Sequence, residues 1–337
     1  MKKMISRAQE DRALELHKKA IVIDTHCDTI LKFLPRITKK DARTNLGTRI
    51  DFGHLDLPRI LEGGLSCQTF AIGTGFRENQ PDALFTAIQL VSIFQKQCEL
   101  NDIIVHIQNP LDIKKAKDEG KLSAILSLEG SECLMGDLDV LRVFYKLGIR
   151  MISFTWNWRT PFADGLYAKR SESKLTDLGV KALEEMDEIG IVFDVSHLAD
   201  SCFWDVVDIK KTPFIASHSN CRKVFNHERN LTDDMIVALA DHNGVIGISF
   251  YPLFISKENA TVEKVVDHID HVVDIVGPDY VGLGSDFDGI ASTPEGLEDV
   301  SKIPNITREL VRREYNDEDI LKILGGNHLR VFNEVMR

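Results

Sequence analysis

No run of about 18 apolar residues, the length a membrane-spanning helix needs, occurs in the 337-residue chain. No C-x-x-C pair occurs either: the cysteines stand alone at 27, 67, 98, 133, 202 and 221. That scatter excludes a zinc ribbon and a dense disulfide framework, and reduced thiols are expected. Basic charge is scarce, with 41 Lys and Arg against 52 Asp and Glu, a net −11. Phosphate backbones need clustered cations, so a general nucleic-acid partner is excluded, although one local basic spot for a small carboxylate is not. The basic opening MKKMISRAQEDRALELHKKA has no apolar stretch behind it and reads as a surface helix rather than a signal peptide. The closing GGNHLRVFNEVMR is too short and polar for a lipid-anchor signal. These features lead us to expect a cytoplasmic protein with no membrane partner.

What the chain does have is a regular series of short apolar runs. They are AIVID (20–24), LSCQTFAI (65–72), LSAILSL (122–128) and IRMISFT (149–155), then IVFDVS (191–196), PFIAS (213–217), GVIGISFY (244–251) and YVGLGS (280–285). Near-continuous apolarity over so few residues is the pattern of parallel strands buried on both faces. Segments of helical periodicity lie between them, several ending at a glycine placed as a helix C-cap: Gly148, Gly190 and Gly277. Eight β/α units without a linker or composition shift predict an α/β fold, a closed (β/α)8 TIM-type barrel within residues 21–286. One domain over 1–337 is expected, with an N-terminal helix and a C-terminal helical extension. An open doubly wound sheet would show a Gly-rich phosphate turn after its first strand, and DTHCDT is not one. The long irregular connections, 31–56, 156–175 and 287–304, would then lie over the active face.

The residues that follow these runs carry the chemistry. His26 and Asp28 follow the first, Glu129 the third, His197 the fifth, His218 the sixth and Asp286 the eighth. A barrel gathers such positions around one mouth. Imidazole nitrogens mixed with carboxylates suit zinc or a similar divalent ion, and a carboxylate can bridge two ions about 3.5–4 Å apart. In His26-x-Asp28 the side chains at i and i+2 point the same way, leaving Cys27 to face elsewhere. Taken alone, a His at a strand end is more often structural, Glu129 could cap a segment, and Asp286 could cap a turn. The alignment of six such residues with strand ends favours the metal. For Asp288 the turn cap is preferred. His17, His54, His106, His227, His242, His268, His271 and His328 are assigned to surface or core.

The motifs DTHCD (24–28), HLDLPRILEGG (54–64), SLEG (127–130), DVSH (194–197), SHSN (217–220), RNLTDD (229–234), GSDFDG (284–289) and LRVF (329–332) resemble, in order, those of the membrane (renal-type) dipeptidase family. The resemblance implies a metal-dependent hydrolase of dipeptides, L-Xaa-D-Xaa included, that uses a metal-bridged water. Two ions per chain are implied, with Zn2+ the expected metal. His26, Asp28 and Asp286 would hold one, His197 and His218 the other, and Glu129 would bridge them. Asp286 would also manage the water's proton, and Arg229 would bind the substrate's terminal carboxylate. A solvent-exposed Arg near a helix start is the plain alternative for Arg229. Tyr251 looks like another pocket residue, and a homodimer is implied. Trp156 stands where renal-type members carry a substrate-contacting His, although bacterial relatives of this type show a Trp-Asn pair there. An indole cannot accept a proton, so oxyanion stabilisation would shift to the metals or to Asn157. Two other readings stay open: a binuclear amidohydrolase acting on a cyclic amide, lactam or ester, and a ligand-binding barrel without turnover. The deaminase-like barrels usually open with His-x-His rather than His-x-Asp.

Overall fold

The computed structural model describes residues 5–34, 45–75, 80–171 and 173–337. The first four residues of the expected opening helix, and residues 35–44 of the 31–56 connection, lie outside them. Among the described residues nine parallel strands form: β1 (Ile23–Cys27), β2 (Cys67–Gly73), β3 (Ile104–His106), β4 (Leu122–Glu129), β5 (Ile149–Ser153), β6 (Val192–Asp194), β7 (Ile215–Ser219), β8 (Val245–Ile248) and β9 (Val281–Leu283). The neighbour order β2-β1-β9-β8-β7-β6-β5-β4 closes because β2 also pairs with β4, giving an eight-stranded barrel. Helices fill the crossovers, as the α/β reading requires.

The ninth strand, β3, was not expected. It pairs with Leu122–Ala124 at the start of β4, whereas β5 takes up the same edge from Leu126 onward. A three-residue strand this short leaves no periodic trace in sequence. The other strands fall within a few residues of the expected runs and are buried along their whole length. Some end early because backbone groups turn to side chains. Beyond Ile248, for example, Ser249 N–H donates to Asn220 Oδ1 at 2.8 Å. The expected C-cap at Gly190 is left-handed, with φ 84°, and it ends the helix Asp177–Ile189.

The floor of the barrel is a separate apolar layer. Ile23, Cys67, Ile125, Met151, Val192, Ile215 and Val245, one from each of seven strands, meet Val331, Phe332 and Val335 of the helix Asn327–Val335. The LRVF segment therefore plugs the barrel at the end away from the strand C-termini. The opening helix, Arg7–Lys19, starts with a capping box between Ser6 and Gln9 and buries Ala13, Leu16 and His17. It is thus half core rather than wholly surface.

Two buried histidines outside the strand ends must fold neutral. Burial, aided by the charge of Arg330, pushes His328 down to about 3, and neither ring nitrogen has a hydrogen-bond partner among the described residues. Burial likewise lowers His268 to about 4, where its Nδ1 accepts from Cys221 N–H at 3.1 Å. The unfolded chain takes up protons near pH 6.5 that these folded sites refuse. Their stabilising contribution is therefore complete above that pH and is lost as pH falls towards 4 and 3. The loss is up to about 1.4 kcal/mol per pH unit for each site. Urea titrations of the metal-free protein from pH 7 to pH 4 should show His328→Leu losing stability less steeply than the wild type. Equal slopes would contradict a buried neutral His328.

Candidate metal centre

Two buried aspartates organise the strand ends. Asp24, inside β1, accepts from Ser285 N–H (2.7 Å), Ser285 O–H (2.5 Å) and His26 N–H (3.3 Å). Asp194, ending β6, accepts from Ser217 N–H (2.8 Å), Ser217 O–H (2.5 Å) and Ser196 N–H (2.9 Å). Each carboxylate thus clamps the serine directly before a candidate ligand, Asp286 in one case and His218 in the other. The β1–β2 register shifts between Asp24 and Cys27. Beyond that shift, Cys27 is buried in the apolar core, while His26 and Asp28 turn towards the mouth.

Backbone strain gathers at the same place. His197 (φ 68°), Asp286 (φ 65°) and Asp288 (φ 68°) all adopt the left-handed conformation that side chains disfavour. Such conformations persist where the surroundings over-determine them, and they mark functional sites.

The hydrogen bonds also fix which imidazole nitrogens are free. Ser217 Oγ gives its proton to Asp194, so at 2.7 Å from His218 Nδ1 it can only accept. His218 therefore carries its proton on Nδ1. At His197, Nδ1 lies 2.8 Å from Asn157 Oδ1, an acceptor, so the proton again sits on Nδ1. Both Nε2 lone pairs consequently point inwards, only 2.9 Å apart, with no hydrogen between them. Glu129 Oε1 lies beneath, 3.1 Å from His197 Nε2, 3.7 Å from His218 Nε2 and 3.8 Å from His26 Nε2. His26 Nε2 is also 3.4 Å from Asp28 Oδ2. Two overlapping ligand groups result, His26 with Glu129 and His218, and His26 with Asp28 and Asp286.

The electrostatics match that crowding. Burial and the neighbouring Asp28 raise the Glu129 carboxyl to about 8. Burial raises Asp286 to about 7, with His26 opposing the shift and Asp28 adding to it. Burial alone would lower His26, but Glu129, Asp28 and Asp286 outweigh it and raise the imidazole to about 10. His197 and His218 are pushed well below the usual range, by burial first and by the nearby Arg229 and His26. Even with His26 and Arg229 opposing it, burial beside Asp28 favours the protonated forms of Glu129 and Asp286. His26 Nε2 and Asp28 Oδ1 have no hydrogen-bond partner among the described residues. Convergent lone pairs, crowded carboxylates and orphaned buried atoms all fit divalent ions.

A cavity of about 520 Å³ opens over this cluster, walled by Trp156, Asn157, Arg229 and Tyr251 among others. Arg229 is buried rather than exposed. Its guanidinium donates to His218 O at 3.1 Å and Ser219 Oγ at 3.4 Å, and its Nε has no partner among the described residues. Asn157, expected to help with an oxyanion, lines the cavity and presents its carbonyl oxygen to His197. Tyr251 lies three residues past β8 and precedes the short helix Pro252–Ile255. Trp156 packs 6.1 Å from the His197 ring. Asp288 behaves as a turn anchor, accepting from Thr29 O–H at 2.6 Å and His54 N–H at 2.7 Å, and it also lines the cavity. Sequence reasoning missed Lys32, Tyr167 and His227 as wall residues. They lie on long connections with no periodicity to mark them.

Comparison with known proteins identifies the family. An uncharacterized dipeptidase of Schizosaccharomyces pombe is 32% identical, over 96% of this chain and 83% of its own length. A metallopeptidase from Rhodobacter sphaeroides, solved with a phosphinate mimic of the dipeptide L-Ala-D-Ala, superposes with a TM-score of 0.84 at 26% identity, covering 94% of this chain and 99% of that one. The probable dipeptidase PvdM from Pseudomonas aeruginosa gives a TM-score of 0.88 at 25% identity, covering 98% of this chain and 99% of its own. The model of the membrane dipeptidase family, peptidase family M19, matches residues 10–337, and the chain is a member of that family of metallopeptidases.

Proposed function

We propose that the protein hydrolyses the peptide bond of dipeptides, L-Xaa-D-Xaa included, at a centre of two divalent ions, with zinc the expected metal. The observation that carries this reading is the meeting of the His197 and His218 lone pairs over Glu129 Oε1. His26, Asp28 and Asp286 are assigned to one ion, His197 and His218 to the other, and Glu129 to both. When bound, the ions acidify a shared water and polarise the substrate carbonyl.

The chain's own residues supply the rest. Arg229, which lines the cavity, binds the substrate's terminal carboxylate and sets its orientation. Asp286 takes a proton from the attacking water as the new C–O bond forms, then returns it to the amine nitrogen as the C–N bond breaks. Asn157 and Ser217 keep two imidazoles turned inwards. Trp156 and Tyr251 close the cavity around the dipeptide. Six free cysteines suit a reducing compartment, and no described helix is long and apolar enough to cross a membrane, so we place the enzyme in the cytoplasm.

Exhaustive chelation should abolish dipeptide hydrolysis, and added zinc should restore it along with about two ions per chain. Activity that survives metal removal would overturn the assignment. Arg229→Ala should raise KM about tenfold or more while kcat holds, whereas a fall in kcat at constant KM would contradict carboxylate anchoring. Asn157→Ala should weaken one metal position by about 10–100-fold in a competitive chelator titration. Two unchanged affinities would remove its role at His197.

A further inference from the structure

Arg229 is not the only cation facing the cavity. Lys32 sits on the 3-10 turn Thr29–Phe33, directly after β1 and Asp28, and its partly buried side chain lines the cavity wall. Among the described residues it forms no ion pair. The carboxylates that line the same cavity are engaged elsewhere. Asp288 is held by Thr29 and His54 at 2.6 and 2.7 Å. Glu228 pairs with Lys169 at 2.7 Å, and Asp28, Glu129 and Asp286 belong to the proposed ion positions. An ammonium held against a binding cavity, with no counter-ion among the described residues, is electrostatically complementary to an anionic group of the ligand.

The barrel order says which part of the ligand that is. Arg229 follows β7, and Lys32 follows β1. Between those strands lie β8, which leads to Tyr251, and β9, which leads to Asp286. If Arg229 holds the C-terminal carboxylate, the cleaved carbonyl lies over the ligand cluster, and Lys32 stands beyond it on the side of the N-terminal residue. We infer that Lys32 selects dipeptides whose N-terminal residue carries an acidic side chain. This rests on the dipeptidase reading and narrows its substrate class.

The test compares kcat/KM for L-Glu-L-Ala and L-Gln-L-Ala, with L-Ala-L-Glu and L-Ala-L-Gln as the opposite arm, on the zinc-loaded protein. Glu and Gln match in shape, so their ratio isolates charge. Wild type should prefer L-Glu-L-Ala over L-Gln-L-Ala by about tenfold, and the preference should shrink as salt is raised. Lys32→Met should bring the ratio to about one, Lys32→Arg should keep it, and Lys32→Glu should invert it. Because each ratio is internal to one variant, partial loss of folded enzyme cancels. A wild-type ratio near one, a ratio untouched by Lys32→Met, or an acidic preference confined to the C-terminal position overturns the inference. If the wild type cleaves none of these and no other dipeptide, the dipeptidase reading itself fails. Cleavage of dipeptides without charge preference sinks only the role of Lys32.

Discussion

The structure turns on two imidazole lone pairs that meet 2.9 Å apart over a buried carboxylate. Neither nitrogen carries a hydrogen, because Asn157 and Ser217 hold the ring protons on the far side. Two bare acceptors at that separation repel, and burial removes the water that could relieve them. Burial, with the charge of Asp28 beside them, holds the Glu129 and Asp286 carboxyls well above the usual carboxylate range. Positive charge at the centre would offset each of these local costs, and metal ions, which membership of a metallopeptidase family implies, would bring it.

Holding that arrangement takes a rigid frame. Asp24 and Asp194 do the same work on two sides of the mouth, each clamping a serine through both its N–H and its O–H. Thr25 pins the interior, donating to either Ser217 O at 2.6 Å or Leu283 O at 2.9 Å. The left-handed backbone at His197 and Asp286 is sustained by these bonds rather than by local preference. Far below, the floor layer under Phe332 anchors the same strands in apolar contacts. The barrel thus separates stability at one end from reactivity at the other.

Much of this was legible in the sequence. Strands buried on both faces leave apolar runs, and the ends of those runs pointed to His26, Asp28, Glu129, His197, His218 and Asp286, which the fold does bring together. The three-residue β3 was not legible, because pairing along half of one edge leaves no pattern. Nor were the partners that orient the ligands. Asn157 looked like a residue for the substrate, and only its distance to His197 shows what its carbonyl oxygen faces. Ser217 and Asp194 lay inside motifs without a visible role, since a side chain's hydrogen-bond partner across two strands depends on register. Lys32, Tyr167 and His227 reach the cavity from irregular connections, where sequence carries little information about direction.

The metal centre depends on protons as much as on metals, and histidine 15N NMR of the metal-free protein reads them directly. His197 and His218 should be neutral at pH 7, each protonated on Nδ1 and bare on Nε2, and zinc should move both Nε2 signals. An imidazolium at either residue, or a proton on either Nε2, would contradict this proton placement.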